Sequence, residues 1–69
     1  MSNINPEHYK FGGIEPIDYM KSKMSDERFK GFLQGNVIKY ISRYQEKNGV
    51  EDLQKAQWYL NKLNQEEQS

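Results

Sequence analysis

Apolar and aromatic residues between Phe29 and Tyr44 recur at the spacing of one face of an α-helix. The stripe consists of Phe29, Phe32, Leu33, Val37, Tyr40, Ile41 and Tyr44. This spacing fits the period of about 3.6 residues of an amphipathic helix. A Gly-Asn pair usually marks a turn, but the stripe keeps its phase through Gly35-Asn36. We therefore predict one unbroken helix of about 20 residues that ends near Lys47.

Two further helices are predicted on either side of this one. Pro16 suits a first helical position because the N–H that proline lacks would have no partner there. A short helix is therefore expected from Pro16, and Ser25 is expected to be the N-cap of the long helix. Asn48-Gly49 supplies a left-handed residue that ends the long helix. A third helix should begin near Val50, with an apolar stripe of Leu53, Ala56, Leu60 and Leu63 and with Tyr59 at its edge.

The fold class is predicted to be all-α, a short helix plus an antiparallel helical hairpin. We expect one domain over residues 1–69, divided into a structured N-terminal arm (1–15), a helical core (16–63) and a frayed polar tail (64–69). A core of this size contributes only about 3–5 kcal/mol of net stability, and the chain has no cysteine for disulfides. We therefore expect a homo-oligomer. Trp58 lies off the apolar stripe and is assigned to the subunit interface, with a stacking surface as the alternative.

Composition excludes several classes of function. The ten basic and ten acidic residues balance, so no general DNA binding is expected. No apolar run approaches the about 20 residues that cross a bilayer, and the first residues lack a secretory signal. A cytoplasmic location follows. No phosphate-loop, GxGxxG or HExxH motif is present, so whether the chain is an enzyme stays open, with a negative answer favoured.

Three polar residues of the long helix suggest a ligand site. Asn36 interrupts the apolar stripe, and Lys39 and Arg43 follow it on the same side of the helix. Lysine and arginine suit phosphate oxygens. The structural alternative has Asn36 bonded to the N-terminal loop, Lys39 extending along the surface and Arg43 paired with a carboxylate of the third helix.

Other residues could complete such a site. Tyr9, Tyr40 or Trp58 could stack on a base. Glu15 and Asp18 could hold Mg²⁺ together with a ligand's phosphates, although carboxylates near a helix start are also common for electrostatic reasons.

Three stretches of the chain carry a resemblance to a known family. They are Asn5-Pro6-x-His8-Tyr9-x-x-Gly12-x-Ile14-Glu15-x-Ile17-Asp18, then Phe32-x-x-Gly35-Asn36-x-Ile38-Lys39-Tyr40-x-x-Arg43, and last Lys47-Asn48-Gly49-x-Glu51-Asp52-Leu53-x-Lys55-Ala56-x-Trp58-Tyr59-Leu60. Over about residues 4–63 the chain resembles small tailed-phage proteins catalogued as domain of unknown function 3310. That family is similar to part of a coliphage protein described as a deoxynucleoside monophosphate kinase. The resemblance implies a phage origin, hence the cytoplasm of an infected bacterium, and a link to nucleotides. It marks as site candidates His8, Tyr9, Glu15, Asp18, Asn36, Lys39, Arg43, Glu51 and Asp52.

Three functions are compatible with these features. We predict a phage module that binds or sequesters a nucleotide or a nucleotide-derived signal through a cationic helix face. One alternative is a deoxynucleoside monophosphate kinase that acts as an oligomer. The other is a phage effector that binds and inhibits a host protein through an exposed aromatic patch.

Overall fold

The computed structural model describes residues 15–69, which form three α-helices. These are α1 (Pro16–Lys23), α2 (Asp26–Arg43) and α3 (Val50–Glu67). The start of α2 meets the end of α3, so the two long helices are antiparallel, and α1 packs on α2. Residues 15–69 contain no strand, and the all-α prediction is confirmed. The predicted arm, with His8 and Tyr9, lies outside this range except for Glu15.

The predicted helix starts are confirmed. Pro16 occupies the first turn of α1, and the Ser25 hydroxyl accepts a hydrogen bond from the Arg28 N–H at 3.2 Å. Helix α2 runs unbroken through Gly35-Asn36. Gly49 precedes α3 with φ of 58°, a left-handed conformation that favours glycine.

Helix α2 ends earlier than predicted, at Arg43 and not near Lys47. Residues 44–49 form turns, and the Gly49 N–H donates to the Tyr44 carbonyl at 2.8 Å. This early stop lets α3 return close enough for Asp52 to reach Arg43.

The core lies between α2 and α3, with α1 covering one end. Its buried members are Ile17, Phe29, Leu33, Tyr40, Ala56 and Tyr59. The rings of Tyr40 and Tyr59 stack with their centroids 5.9 Å apart, a geometry that adds to the burial of apolar surface.

The predicted apolar stripes are wrong at three positions, whose side chains were expected to face the core. Ile41, Leu53 and Leu60 remain 49%, 37% and 39% exposed. The buried side of α3 is instead rotated toward Asp52 and Tyr59. The stacking of Tyr59 on Tyr40 and the bonding of Asp52 account for this rotation.

Helix α3 is longer than its apolar stripe predicts. It continues past Leu63, the last residue of the stripe, to Glu67. Glu66 pairs with Lys21 at 2.9 Å and Glu67 pairs with Lys30 at 3.4 Å. These contacts hold the last turn of α3 against α1 and the start of α2. Within residues 15–69, no helix has both the length and the apolar character needed to cross a membrane.

Candidate functional site

Three cations surround the ring of Tyr40, and we call these four residues the Tyr40 cluster. Measured from the ring centroid, Lys39 Nζ lies at 4.6 Å, Arg43 Cζ at 4.9 Å and Lys55 Nζ at 5.5 Å. Tyr40 is buried against Tyr59, so its position is set by the core. Cations this close to an aromatic face are attracted by the ring. The hairpin thus gathers positive charge from both long helices at one place.

Arg43 is held within this cluster by a buried carboxylate. Its Nε donates to Asp52 Oδ2 at 3.2 Å and its Nη2 donates to Asp52 Oδ1 at 3.3 Å. The backbone N–H and the side-chain amide of Asn48 donate to the same carboxylate at 3.2 and 3.3 Å. Asp52 is 0% exposed, and these four bonds satisfy the oxygens that burial removes from water.

The bonding around Asp52 shifts two pKa values. The hydrogen bond from Arg43 lowers the pKa of Asp52, with further lowering by Asn48, against burial, which acts in the opposite direction. The same hydrogen bond raises the pKa of Arg43. Arg43 therefore joins α2 to the start of α3, as the structural alternative anticipated.

The two lysines of the cluster differ from Arg43. Neither Lys39 nor Lys55 forms an ion pair with a carboxylate of residues 15–69. Lys39 is exposed and Lys55 is half-buried. Two ammonium groups beside one ring produce a local positive field that the neutral net charge of the chain does not reveal. Such a field suits phosphate oxygens.

Asn36 lies on the same side of α2 but makes a local bond. Its amide nitrogen donates to the Phe32 carbonyl at 2.9 Å, one turn earlier in the same helix. The structural alternative had expected a bond to the N-terminal loop. Next to it, a Cβ on Gly35 would meet nothing within 4 Å in residues 15–69 apart from its chain neighbours and the backbone of its own helix.

Trp58 lies one turn beyond Lys55 on α3. Trp58 is half-buried, and its ring is nearly perpendicular to that of Tyr59, with their centroids 5.0 Å apart. It borders an open depression of about 250 Å³, which Gln54, Gln57 and Asn61 also line. This surface combines an aromatic plane with side-chain amides.

The remaining acidic candidates are spread over the molecule. Glu15 is half-buried and Asp18 is exposed at the start of α1, whereas Glu51 is half-buried beside Asp52. In the part of the chain that the structure describes, no three histidine or carboxylate side chains are arranged to hold a metal ion.

Sequence reasoning missed two residues of the site, Lys55 and Asn48. Lys55 could have been found by aligning the two antiparallel helices. If Arg43 pairs with Asp52, the residue three positions before Arg43, Tyr40, lies opposite the residue three positions after Asp52, Lys55. Asn48 was assigned only to the turn, because nothing in the pattern indicated that Asp52 would be buried and need further donors.

The fold and this site together define a class: a small all-α domain whose helical hairpin gathers cations around a buried tyrosine. The chain belongs to the DUF3310 family of proteins of unknown function, whose family model matches residues 4–61. This confirms the resemblance found in the sequence.

Two phage proteins are similar to the chain. "Nucleotide kinase gp1.7" of Escherichia phage T7 is 39% identical over 59 residues, covering 78% of this chain and 30% of the relative. "Gene 1.7 protein" of Enterobacteria phage T3 is 35% identical over 60 residues, covering 80% of this chain and 37% of the relative. The chain thus spans about a third of the length of these relatives. Both relatives are phage proteins, which supports the implied phage origin. No solved structure matches the chain.

Proposed function

We propose that the chain is a phage nucleotide-binding module and that the Tyr40 cluster receives the phosphate. The observation that carries this proposal is the convergence of Lys39 and Lys55 on one ring, without a carboxylate partner in residues 15–69. A relative named as a nucleotide kinase supports the choice of a nucleotide over other phosphate ligands.

The members of the cluster have different roles in this proposal. Lys39 and Lys55 contact phosphate oxygens as mobile point charges. Arg43 positions the site, because its guanidinium already donates two hydrogen bonds to Asp52. Asn36 lies one turn before Tyr40 and contacts the ligand at the side of the cluster.

The base is assigned to the surface beside Trp58. An indole that borders an open depression can stack on a base, with a contribution of about 1–3 kcal/mol in single-strand binders. Gln54 and Asn61 lie next to this face and carry amides that can hydrogen-bond a base edge. His8 and Tyr9, which lie outside the described residues, stay candidates for contact with the same ligand. Glu15 and Asp18 stay candidates for holding Mg²⁺.

Kinase activity is the second candidate, and the printed name of the T7 relative favours it. Phosphoryl transfer requires two nucleotides and cations held in line. The third candidate, a host-directed effector, needs no phosphate site.

The test is to measure binding of nucleoside monophosphates and triphosphates to the chain. Isothermal titration calorimetry gives the affinity, and thermal denaturation gives the stabilisation. A nucleotide at 100 times its dissociation constant should stabilise the parent by about 2.7 kcal/mol. The double variant Lys39→Gln/Lys55→Gln should lose at least about tenfold in affinity, since each lysine makes a charge-assisted contact.

The matched control is Lys23→Gln/Lys47→Gln, which removes the same charge from exposed positions outside the cluster. Equal losses in both double variants, or a parent that binds none of the nucleotides, would overturn the proposal. Incubation with a nucleoside monophosphate and ATP then separates binding alone from kinase activity through the appearance of ADP.

A further inference from the structure

Five aliphatic side chains form an exposed patch on the side of the hairpin opposite the Tyr40 cluster. We call it the uncharged face; it comprises Ile38, Ile41, Val50, Leu53 and Leu60, which are 37–67% exposed. On α2, Ile41 and Lys39 project about 160° apart at 100° per residue. Because α2 and α3 are antiparallel, their corresponding sides form two continuous surfaces.

The spacing of this face repeats that of the core. On α3, Val50, Leu53 and Leu60 share a seam with Gln57 and Asn64, and successive members are three and four residues apart. The buried seam through Asp52, Ala56, Tyr59 and Leu63 has the same alternation. Seams with steps of three and four residues are typical of helices that pack against another helix. Helix α3 therefore carries one buried seam against α2 and a second that stays partly exposed, from 37% at Leu53 to 67% at Val50.

The polar members in the middle of the uncharged face are amides, namely Gln34, Gln45, Gln57 and Asn64. Charges lie toward its ends, with Glu27, Lys30 and Glu67 at one end and Glu46 and Lys47 of the connection at the other. A second copy of the chain brings an identical charge pattern, so a self-contacting surface must avoid like charges. The middle of the uncharged face meets this condition, whereas the opposite side carries Lys39 and Lys55.

The face has the size of a small dimer interface. Two helices of 18 residues give a surface about 27 Å long and about 20 Å wide, or about 540 Å². Two such surfaces bury about 1,100 Å² in total, just above the about 1,000 Å² of a small specific interface and below the standard size.

We propose that the uncharged face binds a second copy of this chain. Two hairpins would pack face to face as a four-helix bundle, with each Tyr40 cluster on the outside. This interface is distinct from the one that the sequence assigned to Trp58, and it does not depend on nucleotide binding.

The test is analytical ultracentrifugation of the 69-residue chain over a concentration series up to tens of micromolar. The parent should dimerise, and Ile41→Lys should raise the dimer dissociation constant at least about tenfold, since a dimer would bury two unpaired charges. Circular dichroism should show unchanged helicity, because Ile41 is 49% exposed. If the lysine variant does lose helicity, Ile41→Gln supplies the same comparison with a milder change.

The matched control is Gln65→Lys, which adds the same charge beside Trp58. It should leave the dimer intact. A monomeric parent would overturn the proposal, as would a dimer that Gln65→Lys or Trp58→Ala dissociates and Ile41→Lys does not. In the latter case the interface lies on the Trp58 side.

Discussion

The two broad sides of the α2–α3 hairpin flank one core but differ in chemistry. One side gathers Lys39, Arg43 and Lys55 around Tyr40. The other side exposes Ile38 and Ile41 among amides. A simple amphipathic helix has one apolar and one polar side. These helices instead have a buried seam, a cationic side and an uncharged face, so one apolar and one polar side do not describe them.

The cationic side is itself divided between folding and binding. Arg43 is bonded to the buried carboxylate of Asp52, so its charge is neutralised within the fold. Lys39 and Lys55 are not paired with a carboxylate of residues 15–69. Sequence position alone could not make this distinction for Lys39 and Arg43, because both are cations beside the same stripe of α2.

The largest expected effect on stability is the difference between truncating a leucine in the buried seam and truncating one in the uncharged face. Leu33→Ala should cost about 2–5 kcal/mol of unfolding free energy, the usual cost of emptying a buried leucine site, because Leu33 is 0% exposed. Leu60→Ala should cost the folded monomer less than about 1 kcal/mol, since Leu60 is 39% exposed.

Urea denaturation at low protein concentration measures both variants without a contribution from self-association. Equal losses would show that Leu60 belongs to the core of the monomer. The uncharged face would then be smaller than proposed.

The fold was predictable where local signals decide it. Pro16, Ser25 and Gly49 each act through their own backbone conformation or cap, so the helix starts follow from neighbouring residues. The rotation of α3 was not predictable in this way. Asp52 is buried only because Arg43 and Asn48 meet it from outside α3, and a stripe of leucines gives no sign of such a long-range contact.

The next effect concerns the joint between α2 and α3. Asp52→Asn should lower the melting temperature by more than about 8 °C for a domain of this size, because it removes the charge that holds Arg43 and replaces one of the two acceptor oxygens with a donor NH₂. Glu51→Gln, the same type of change at the neighbouring position, is the control and should shift melting by much less. Thermal denaturation followed by circular dichroism distinguishes them. Similar shifts would mean that the joint does not depend on the Asp52 carboxylate.

The same carboxylate should make stability depend on pH. Since the folded-state pKa of Asp52 is lowered by Arg43, its contribution is present above the ordinary aspartate pKa of about 3.9. It is lost as the pH falls from there through the lower folded-state pKa, because the unfolded chain binds the proton first. Melting temperatures of the parent should fall in this window more steeply than those of Asp52→Asn. Parallel curves would assign the acid sensitivity to other carboxylates.

The candidate site was predictable in part, and the reason lies in the register of the hairpin. Lys39, Tyr40 and Arg43 share one helix, so their proximity follows from the helical period. Lys55 comes from the other helix, and its place beside Tyr40 depends on the six-residue connection 44–49. The sequence predicted that α2 ends near Lys47, and it did not specify which residues of α2 and α3 lie opposite each other. Both roles of Arg43 were left open by the sequence, and its bonds to the buried Asp52 agree with the structural one.

The smallest expected effect on stability is that of replacing Lys39 and Lys55. This distinguishes the two lysines from Arg43, whose replacement should destabilise the fold. Lys39→Gln/Lys55→Gln should change the unfolding free energy by no more than about 0.5 kcal/mol, as for most surface substitutions. Removing two neighbouring like charges can even raise stability slightly at low salt, where screening is weak.

Arg43→Gln should behave differently and lower the melting temperature, because it leaves the buried Asp52 carboxylate without its cation. Chemical denaturation of the three proteins at low and at moderate salt makes the comparison. If the lysine variant loses as much stability as Arg43→Gln, the lysines are part of the fold, and their convergence on Tyr40 no longer favours a ligand.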